Sequence, residues 1–369
     1  MRIVYFTHSL ISCWNHGNAH FLRGVMRALL AAGHDVRIME PARSWSRDNL
    51  FAEHGAPAKH DFAEQFPMLA DRVTIMDDAI DAAVEGADLV LVHEWNEPSL
   101  VAAIGAKRAQ GGRFTLLFHD THHRMVSEPD AMARYDLSDY DGVLAFGETL
   151  SAAYRRQGWG NRVFTWHEAA DTELFHPPIA PQERAGAVWI GNWGDGERSQ
   201  ELRDYMLAPV SDLGVPLDIY GVRYPEEAKA ELARRGIVYH GWAANARAPE
   251  IFARHLFTVH VPRGFYVSHL PGIPTIRVFE ALACGIPLLS APWEDSEHLF
   301  SPGLDFLQAR TPAEMRALMR DLIKDPALRH SLALHGWETI QARHSCAHRA
   351  QELLAIVAGL QRSTGKVAA

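Results

Sequence analysis

PTIRVFEALACGIPLLS, residues 274–290, decides how this chain is read. A helix is expected to start just after Gly272-Ile273-Pro274 and to stop at Gly285, with an apolar strand following at once. Pro271, Gly272 and Pro274 shape the loop before the helix. The N–H groups at a helix start have no partner inside the helix, so a diphosphate fits there. Glu280 lies about a turn and a half further on, where an acidic side chain accepts hydrogen bonds from a ribose diol. A blander reading stands beside this one: Arg277 and Glu280 form an ordinary i,i+3 ion pair on a solvated face.

Outward from this segment the same alternation recurs. Strands are expected at 187–191, 217–221, 238–240, 256–261 and 287–290, and helices at 197–207, 225–235, 249–254, 275–284, 312–324 and 326–342. An earlier set places strands at 2–6, 35–39, 88–93, 114–119, 142–146 and 163–166, with a helix at 20–32. Nearly all these strands are apolar throughout, as in parallel sheets covered by helices on both faces. Between the sets lies HPPIAPQERAG, residues 176–186, with three prolines and no apolar periodicity. The expected organisation is a first domain over 1–170, a linker over 171–186, a second domain over 187–342, and a final segment over 343–369. That last segment carries a helix at 345–360 that crosses back to the first domain, then a frayed tail from 361.

Bulk properties agree with two globular domains. The chain has 369 residues, 47% of them hydrophobic and 22% charged, with a formal net charge of −9. Nucleic-acid binders usually carry a basic footprint, so this balance argues against such a partner. Cys13, Cys284 and Cys346 are odd in number and widely spaced, which fits neither a disulfide framework nor a zinc ribbon and points to a reducing cytoplasm. No run approaches the ~20 apolar residues of a transmembrane helix. Peripheral membrane association stays open.

FEALACGIPLL resembles the second-domain motif of glycosyltransferase family 4 and its relatives, which are retaining enzymes of the GT-B type. EAADTELFHP (168–177) is similar to the interdomain segment of the same superfamily. IGNWGDGERSQELRDYML (190–207) and RHSCAHRAQELLAI (343–356) resemble its CgeB-like branch. These matches cover about residues 165–360 in the family's order, and the first half of the chain matches more weakly. The resemblance implies an α/β GT-B fold, two Rossmann-like doubly wound domains with an interdomain cleft. It also implies a retaining transfer from a nucleoside diphosphate sugar to an acceptor hydroxyl, of the hexosyltransferase kind.

Site residues carry over position by position. Glu280 matches the second glutamate of the family's E-x7-E pattern, the ribose contact. The first glutamate falls at Gly272 and is absent, which puts a simple family-4 mechanism in doubt. Gly272, Ile273, Pro274, Thr275 and Ile276 match the loop whose backbone amides hold the donor phosphates, with Arg277 just after it. Arg263, beyond the 256–261 strand, is the cation expected on the diphosphate. Gly191 and Asn192 lie at the end of the first strand of the second domain, and Arg198 offers a planar fork suited to phosphate. WNHGNAH supplies His16, Gly17 and Asn18 beside donor and acceptor, with helix capping as the plain alternative.

FHDTHHR (118–124) follows a buried strand. Related enzymes bring a histidine after this strand to the donor sugar. His119 matches it, and Asp120 is expected to orient His119 or to bind acceptor. Three histidines and an aspartate in so short a loop also raise a metal site, but the spacing fits no standard zinc pattern. No metal and no further cofactor is expected, because a helix dipole and basic residues neutralise the diphosphate. Of the tryptophans near strand ends (Trp14, Trp95, Trp193, Trp242 and Trp293), most are expected to pack, with one or two touching sugar. Asp295 and Glu297 reach the same crevice. Two rivals remain: a nucleotide-sugar epimerase on this fold, and a non-catalytic protein that binds a nucleotide-sugar or a partner.

Overall fold

Apolar strands buried on both faces need helices above and below, and both halves of the chain meet that need with a parallel sheet. In a computed structural model, residues 1–76, 79–180, 182–194 and 196–367 are described, with only the backbone described at 56, 59, 161 and 363–367. Among them the first sheet has seven strands: β1 (Arg2–Phe6), β2 (Asp35–Pro41), β3 (Val73–Met76), β4 (Leu89–His93), β5 (Thr115–Asp120), β6 (Gly142–Ala145) and β7 (Val163–Thr165). Their order is β3-β2-β1-β4-β5-β6-β7, all parallel. β4, β5 and β6 are buried along their whole length. The edge strand β3 has Thr74 and Ile75 exposed, so it lacks the apolar run that marks the others, and it was not anticipated.

The second sheet has six strands: β8 (Ala187–Ile190), β9 (Leu217–Tyr220), β10 (Val238–Gly241), β11 (Phe257–His260), β12 (Leu288–Ser290) and β13 (Leu307–Gln308), in the order β10-β9-β8-β11-β12-β13. All are parallel. Trp189, Met206, Phe257, Met315 and Leu332 meet in its core. Each such side chain, fully buried, contributes roughly 1.5–3 kcal/mol of transfer free energy.

The chain divides into two compact units, residues 1–168 with 346–369, and residues 169–345. The segment 171–186 falls in the second unit, where Ala185 N donates to Arg254 O at 2.9 Å. Pro181 lies outside the described residues. The helix Cys346–Val367 packs on the helix Ala19–Ala31, and Trp166 Nε1 donates to Arg349 O at 2.9 Å. This last helix runs on to Val367, past the point where a frayed tail was expected; positions 368 and 369 lie outside the described residues. The helix expected over 197–207 is instead a composite of Ser199–Leu202, a π-turn at Arg203–Leu207 and a continuation at Ala208–Leu213. Pro209 has no N–H to give the preceding turn, and the widened turn absorbs that loss.

Both sheets reverse their winding once, between β1 and β4 in the first and between β8 and β11 in the second. Ligands of open α/β sheets bind outside the carboxyl ends of the strands at such switch points.

Candidate functional site

In the second unit the switch point gathers the expected basic residues. Asn192 follows β8, and Arg263 follows β11. Arg198 reaches between them: its guanidinium donates to Val261 O, Asn192 O and Asn192 Oδ1, each at 2.8 Å. It also lies over the Trp189 ring, 5.0 Å from the centroid. Burial, with the nearby Arg263 cation, lowers its pKa to about 10. Arg263 pairs with Glu197 at 3.2 Å and reaches Asn192 Oδ1 at 3.4 Å. Gly194 has φ +94°, and a Cβ there would stand 2.6 Å from Arg198 Cγ, so this glycine is what lets the arginine stem pass.

Gly191 is expected to permit a turn close to phosphate. Both its backbone groups are engaged in the protein: its N–H donates to Tyr220 O at 2.9 Å, and its carbonyl accepts from Trp189 Nε1 and Tyr224 OH. The loop before the key helix needs a similar correction. Gly272 N donates to Glu294 O at 2.7 Å, Ile273 N turns to Leu270 O at 3.4 Å, and Pro274 has no N–H. Thr275 caps the helix Ile276–Ala283 without a side-chain bond. The N–H groups with no intrahelical acceptor are those of Thr275, Ile276 and Arg277, so the anion-facing start is narrower than residues 272–276.

Gly272 has φ +89°, and a Cβ would meet Ser296 Oγ at 2.6 Å and Glu297 Cγ at 2.8 Å. A side chain at this position would be strained by the backbone and crowded by these neighbours. Glu280 is fully buried, held by Arg277 and by Asn245 Nδ2 at 2.6 Å. The i,i+3 pair exists, yet not on a solvated face. Burial raises the Glu280 pKa, with Arg277 and Asn245 opposing. Beside it, at the end of β11, His260 contacts Ser290 Oγ at 3.0 Å and is lowered to about 3 by burial and by Arg198. His260 and Asn245 carry no motif and were not foreseen.

In the first unit His119 and Asp120 both end β5, fully buried, but they point to opposite faces, as neighbours on a strand do. Asp120 therefore does not orient His119. Tyr5 does, with its hydroxyl 2.7 Å from His119 Nδ1, and Trp166 and Phe21 clasp the ring at 4.8 and 6.0 Å. Burial lowers His119 to about 3, so it is a neutral imidazole at neutral pH. His93, its strand partner on β4, lies 5.5 Å away and contacts Thr121 Oγ1 at 3.0 Å.

On the other face Asp120 accepts from Tyr154 OH at 2.8 Å and from His122 N at 3.0 Å. Burial raises Asp120 to about 6, and burial with Asp120's charge raises Glu94 well above the usual carboxylate range. Arg124 pairs with Glu94 at 3.1 Å. Glu94, His93, Thr121 and Arg124 are the members that sequence reasoning missed; the position of His93 and Glu94 at the end of a buried strand was the available signal.

Asn18 stands at the N-cap of Ala19–Ala31 without capping it through its side chain. Instead its Nδ2 donates to Thr121 O at 3.1 Å and Thr121 Oγ1 at 2.5 Å, tying the β1 loop to the β5 loop. His16 is buried and lowered to about 3, by burial first and then by His8 and Arg23. Gly17 accepts from His20 N at 3.2 Å in the same turn. Among the described residues no group of three or more His, Cys, Asp or Glu is arranged to hold a metal ion. Trp14, Trp193 and Trp293 are buried, whereas Trp95 and Trp242 are partly exposed.

Residues 200–355 match the family described as glycosyl transferase-like. No curated protein matches the sequence significantly. Solved structures match almost the whole chain. Sucrose-phosphate synthase from Thermosynechococcus elongatus aligns at 14% identity with TM-score 0.65, covering 98% of this chain and 100% of its own. Anabaena HepE, solved with UDP and glucose, aligns at 15% with TM-score 0.64, covering 97% and 99%. An α-glucosyltransferase solved with UDP and a 13-mer DNA aligns at 11% with TM-score 0.68, also covering 97% and 99%. The chain has the GT-B glycosyltransferase fold. Among its described residues no helix is long and apolar enough to cross a membrane.

Proposed function

We propose that this GT-B protein transfers a sugar, a hexose by analogy with its relatives, from a nucleoside diphosphate sugar to an acceptor hydroxyl. The observation that carries the reading is the arginine cluster at the β8/β11 switch point. Arg198 and Arg263 share Asn192, beside a helix start with open N–H groups. Such a cluster sets fixed positive charge where a leaving diphosphate becomes more anionic; the terminal nitrogens of Arg198 are bonded to Val261 and Asn192, so Arg198 acts through its charge. Glu280, oriented by Arg277 and Asn245, takes the ribose diol. In the first unit the neutral His119, fixed by Tyr5, is assigned to the sugar, and the buried Asp120, raised to about 6, is assigned as proton acceptor. Retention of configuration and a CgeB-like specialisation in carbohydrate biosynthesis rest on the resemblance of residues 165–360; action in the cytoplasm rests on the odd, widely spaced cysteines, and independence of a metal on the helix start and the arginines.

A thermal-shift screen with UDP, GDP, dTDP, ADP and CDP and their sugars, with and without magnesium, tests the reading. A ligand that binds only the folded state at a hundredfold excess over Kd adds about 2.7 kcal/mol of stability. A shift with one base, and diphosphate release that needs acceptor, is the expected result. Binding without release marks a non-catalytic protein, a changed sugar without acceptor marks an epimerase, and no binding sinks the donor site.

A further inference from the structure

An aromatic wall stands at the carboxyl edge of the first sheet, and the donor chemistry does not use it. Trp45 opens the helix Trp45–Gln65 after β2 and is 38% exposed, although tryptophan is a costly side chain to leave in water. Its ring stacks on His8, which follows β1, at 5.1 Å and 29°. Trp95, which follows β4, lies 6.5 Å from Trp45 and 6.4 Å from His8. Beyond it the His122 ring, after β5, stands at 5.1 Å. Trp14 meets Trp45 edge-on at 5.8 Å, and its Nε1 is bound to Glu53 at 2.8 Å. Four separate loops of one sheet edge thus contribute rings to one surface.

Polar atoms border this wall without protein partners. They are His8 Nε2 and His16 Nε2, both buried; Thr7 Oγ1, one residue before His8, is also buried and unpartnered. Burial and Arg47 hold His8 at about 4, so His8, like His16, is neutral at neutral pH. Of the neighbouring cations, Arg23 donates to the carbonyls of Leu10 and Ile11. Arg47 is held by Glu40 at 2.5 Å and by the carbonyls of Pro41 and Ala42. Arg124 is held by Glu94, with its guanidinium 4.2 Å from the Trp95 centroid. The wall therefore offers apolar ring faces and neutral hydrogen-bonding atoms, and its cations are committed elsewhere.

We propose that this wall binds a neutral saccharide, with a pyranose C–H face on Trp45 and Trp95 and hydroxyl groups at His8 and His16. A hydroxyl both donates and accepts, so it satisfies an imidazole nitrogen in either tautomer. A phosphorylated or uronic sugar finds no uncommitted cation here. This names the acceptor class and rests on the glycosyl-transfer reading.

The test is saturation-transfer NMR on the full chain. The neutral probes are glucose, galactose, mannose, N-acetylglucosamine and maltose, and the charged probes are glucuronate and glucose 6-phosphate, each with and without the nucleoside diphosphate that binds. At least one neutral sugar is expected to saturate and no charged one. A preference for maltose over glucose assigns the site to the end of a glycan rather than to a free sugar. Trp45→Ala is expected to raise the saccharide Kd about tenfold, the scale of one aromatic contact, and to leave the nucleoside diphosphate Kd unchanged. Trp95→Phe keeps a ring and loses less, which guards against a folding defect. Saturation by charged sugars only, by no sugar, or a saccharide Kd within twofold in Trp45→Ala overturns the proposal. Failure of every nucleotide to bind the wild-type chain instead overturns the transferase reading, and the saccharide result is read separately from it.

Discussion

Arg198→Met separates a residue kept for the fold from one kept for the donor. A guanidinium lowered to about 10 is disfavoured in its charged form by roughly 3 kcal/mol, at 1.36 kcal/mol per pH unit. Because the folded value lies below the unfolded one, that penalty applies at every pH under about 10 and is complete at neutrality. Against it stand the three hydrogen bonds to Val261 O, Asn192 O and Asn192 Oδ1, worth about 1 kcal/mol net apiece. Methionine keeps the apolar stem and a favourable sulfur contact with Trp189. The two contributions nearly cancel, so the unliganded variant should unfold within about 1 kcal/mol of wild type. Donor binding has no such cancellation. Removing one partner of a desolvated charge pair costs roughly 2–4 kcal/mol, a hundredfold or more in Kd. Urea unfolding with and without the cognate nucleoside diphosphate reads both effects. At a concentration that adds about 2.7 kcal/mol to wild type, a hundredfold weaker variant gains about 0.4 kcal/mol. An unliganded loss above 3 kcal/mol with the full ligand increment retained would show that Arg198 serves the fold, and would refute the argument.

Three further outcomes are expected. Glu280→Gln should weaken a ribonucleoside diphosphate about tenfold and a 2′,3′-dideoxy analogue hardly at all; equal losses on both would remove Glu280 from the ribose. Glu280→Ala is less informative, since stripping a buried acid from Arg277 and Asn245 costs up to about 3 kcal/mol of stability. Tyr5→Phe should lower kcat about tenfold with donor Kd unchanged, because it releases Nδ1 of His119 and leaves the ring packed; unaltered kcat in acceptor-dependent turnover would retire the pair. The buried neutral histidines His8, His16 and His119 have folded values below their unfolded value, so the stability they confer is complete above about 6.5 and is lost as pH falls toward 3–4. Each contributes up to about 1.4 kcal/mol per pH unit in that window, which thermal melts from pH 7 to pH 5 should register as a falling Tm.

Most strands legible in the sequence carry continuous apolar runs, such as LVLVH at β4, although the half-exposed edge strand β10 was legible as well. β3 was hidden because an edge strand covers one side only, and β13 because two residues make no pattern. Within the site, Arg198, Arg263 and Asn192 were legible because each follows a strand that ends at one sheet edge. Their mutual bonds were not, nor was the partner of His119, since Tyr5 lies 114 positions away in the chain. Alternation along β5 makes the pairing of His119 with Asp120 impossible; that rule was available, but adjacency in a motif hid it. Gly272 shows the reverse case: a missing glutamate looked like a lost function, whereas its positive φ and its crowding by Ser296 and Glu297 show a loop built around glycine.

Unsatisfied polar atoms collect in the same topological place in both units, and the winding of the sheets explains why. Where two neighbouring strands send their connections to opposite sides, no loop crosses the gap between their ends, so strand-end residues lack the backbone partners that a covering loop would supply. Between β1 and β4 this leaves Thr7 Oγ1, His8 Nε2 and His93 Nδ1 without a hydrogen-bond partner, and between β8 and β11 it leaves His260 Nε2 and Arg198 Nε. The two gaps are filled with different chemistry. The first holds histidines that burial keeps neutral and a buried acid pair whose pKa values are raised; the lowered imidazoles are weak bases, so Asp120, raised to about 6, is the candidate proton acceptor there. The second holds arginines that remain charged at neutral pH even at a lowered pKa, an arrangement suited to a group that is anionic and becomes more so. A protein that only bound a nucleotide would need the second set alone. The buried acids and neutral imidazoles of the first unit are costly to keep, and perturbed groups of that kind gather at functional sites.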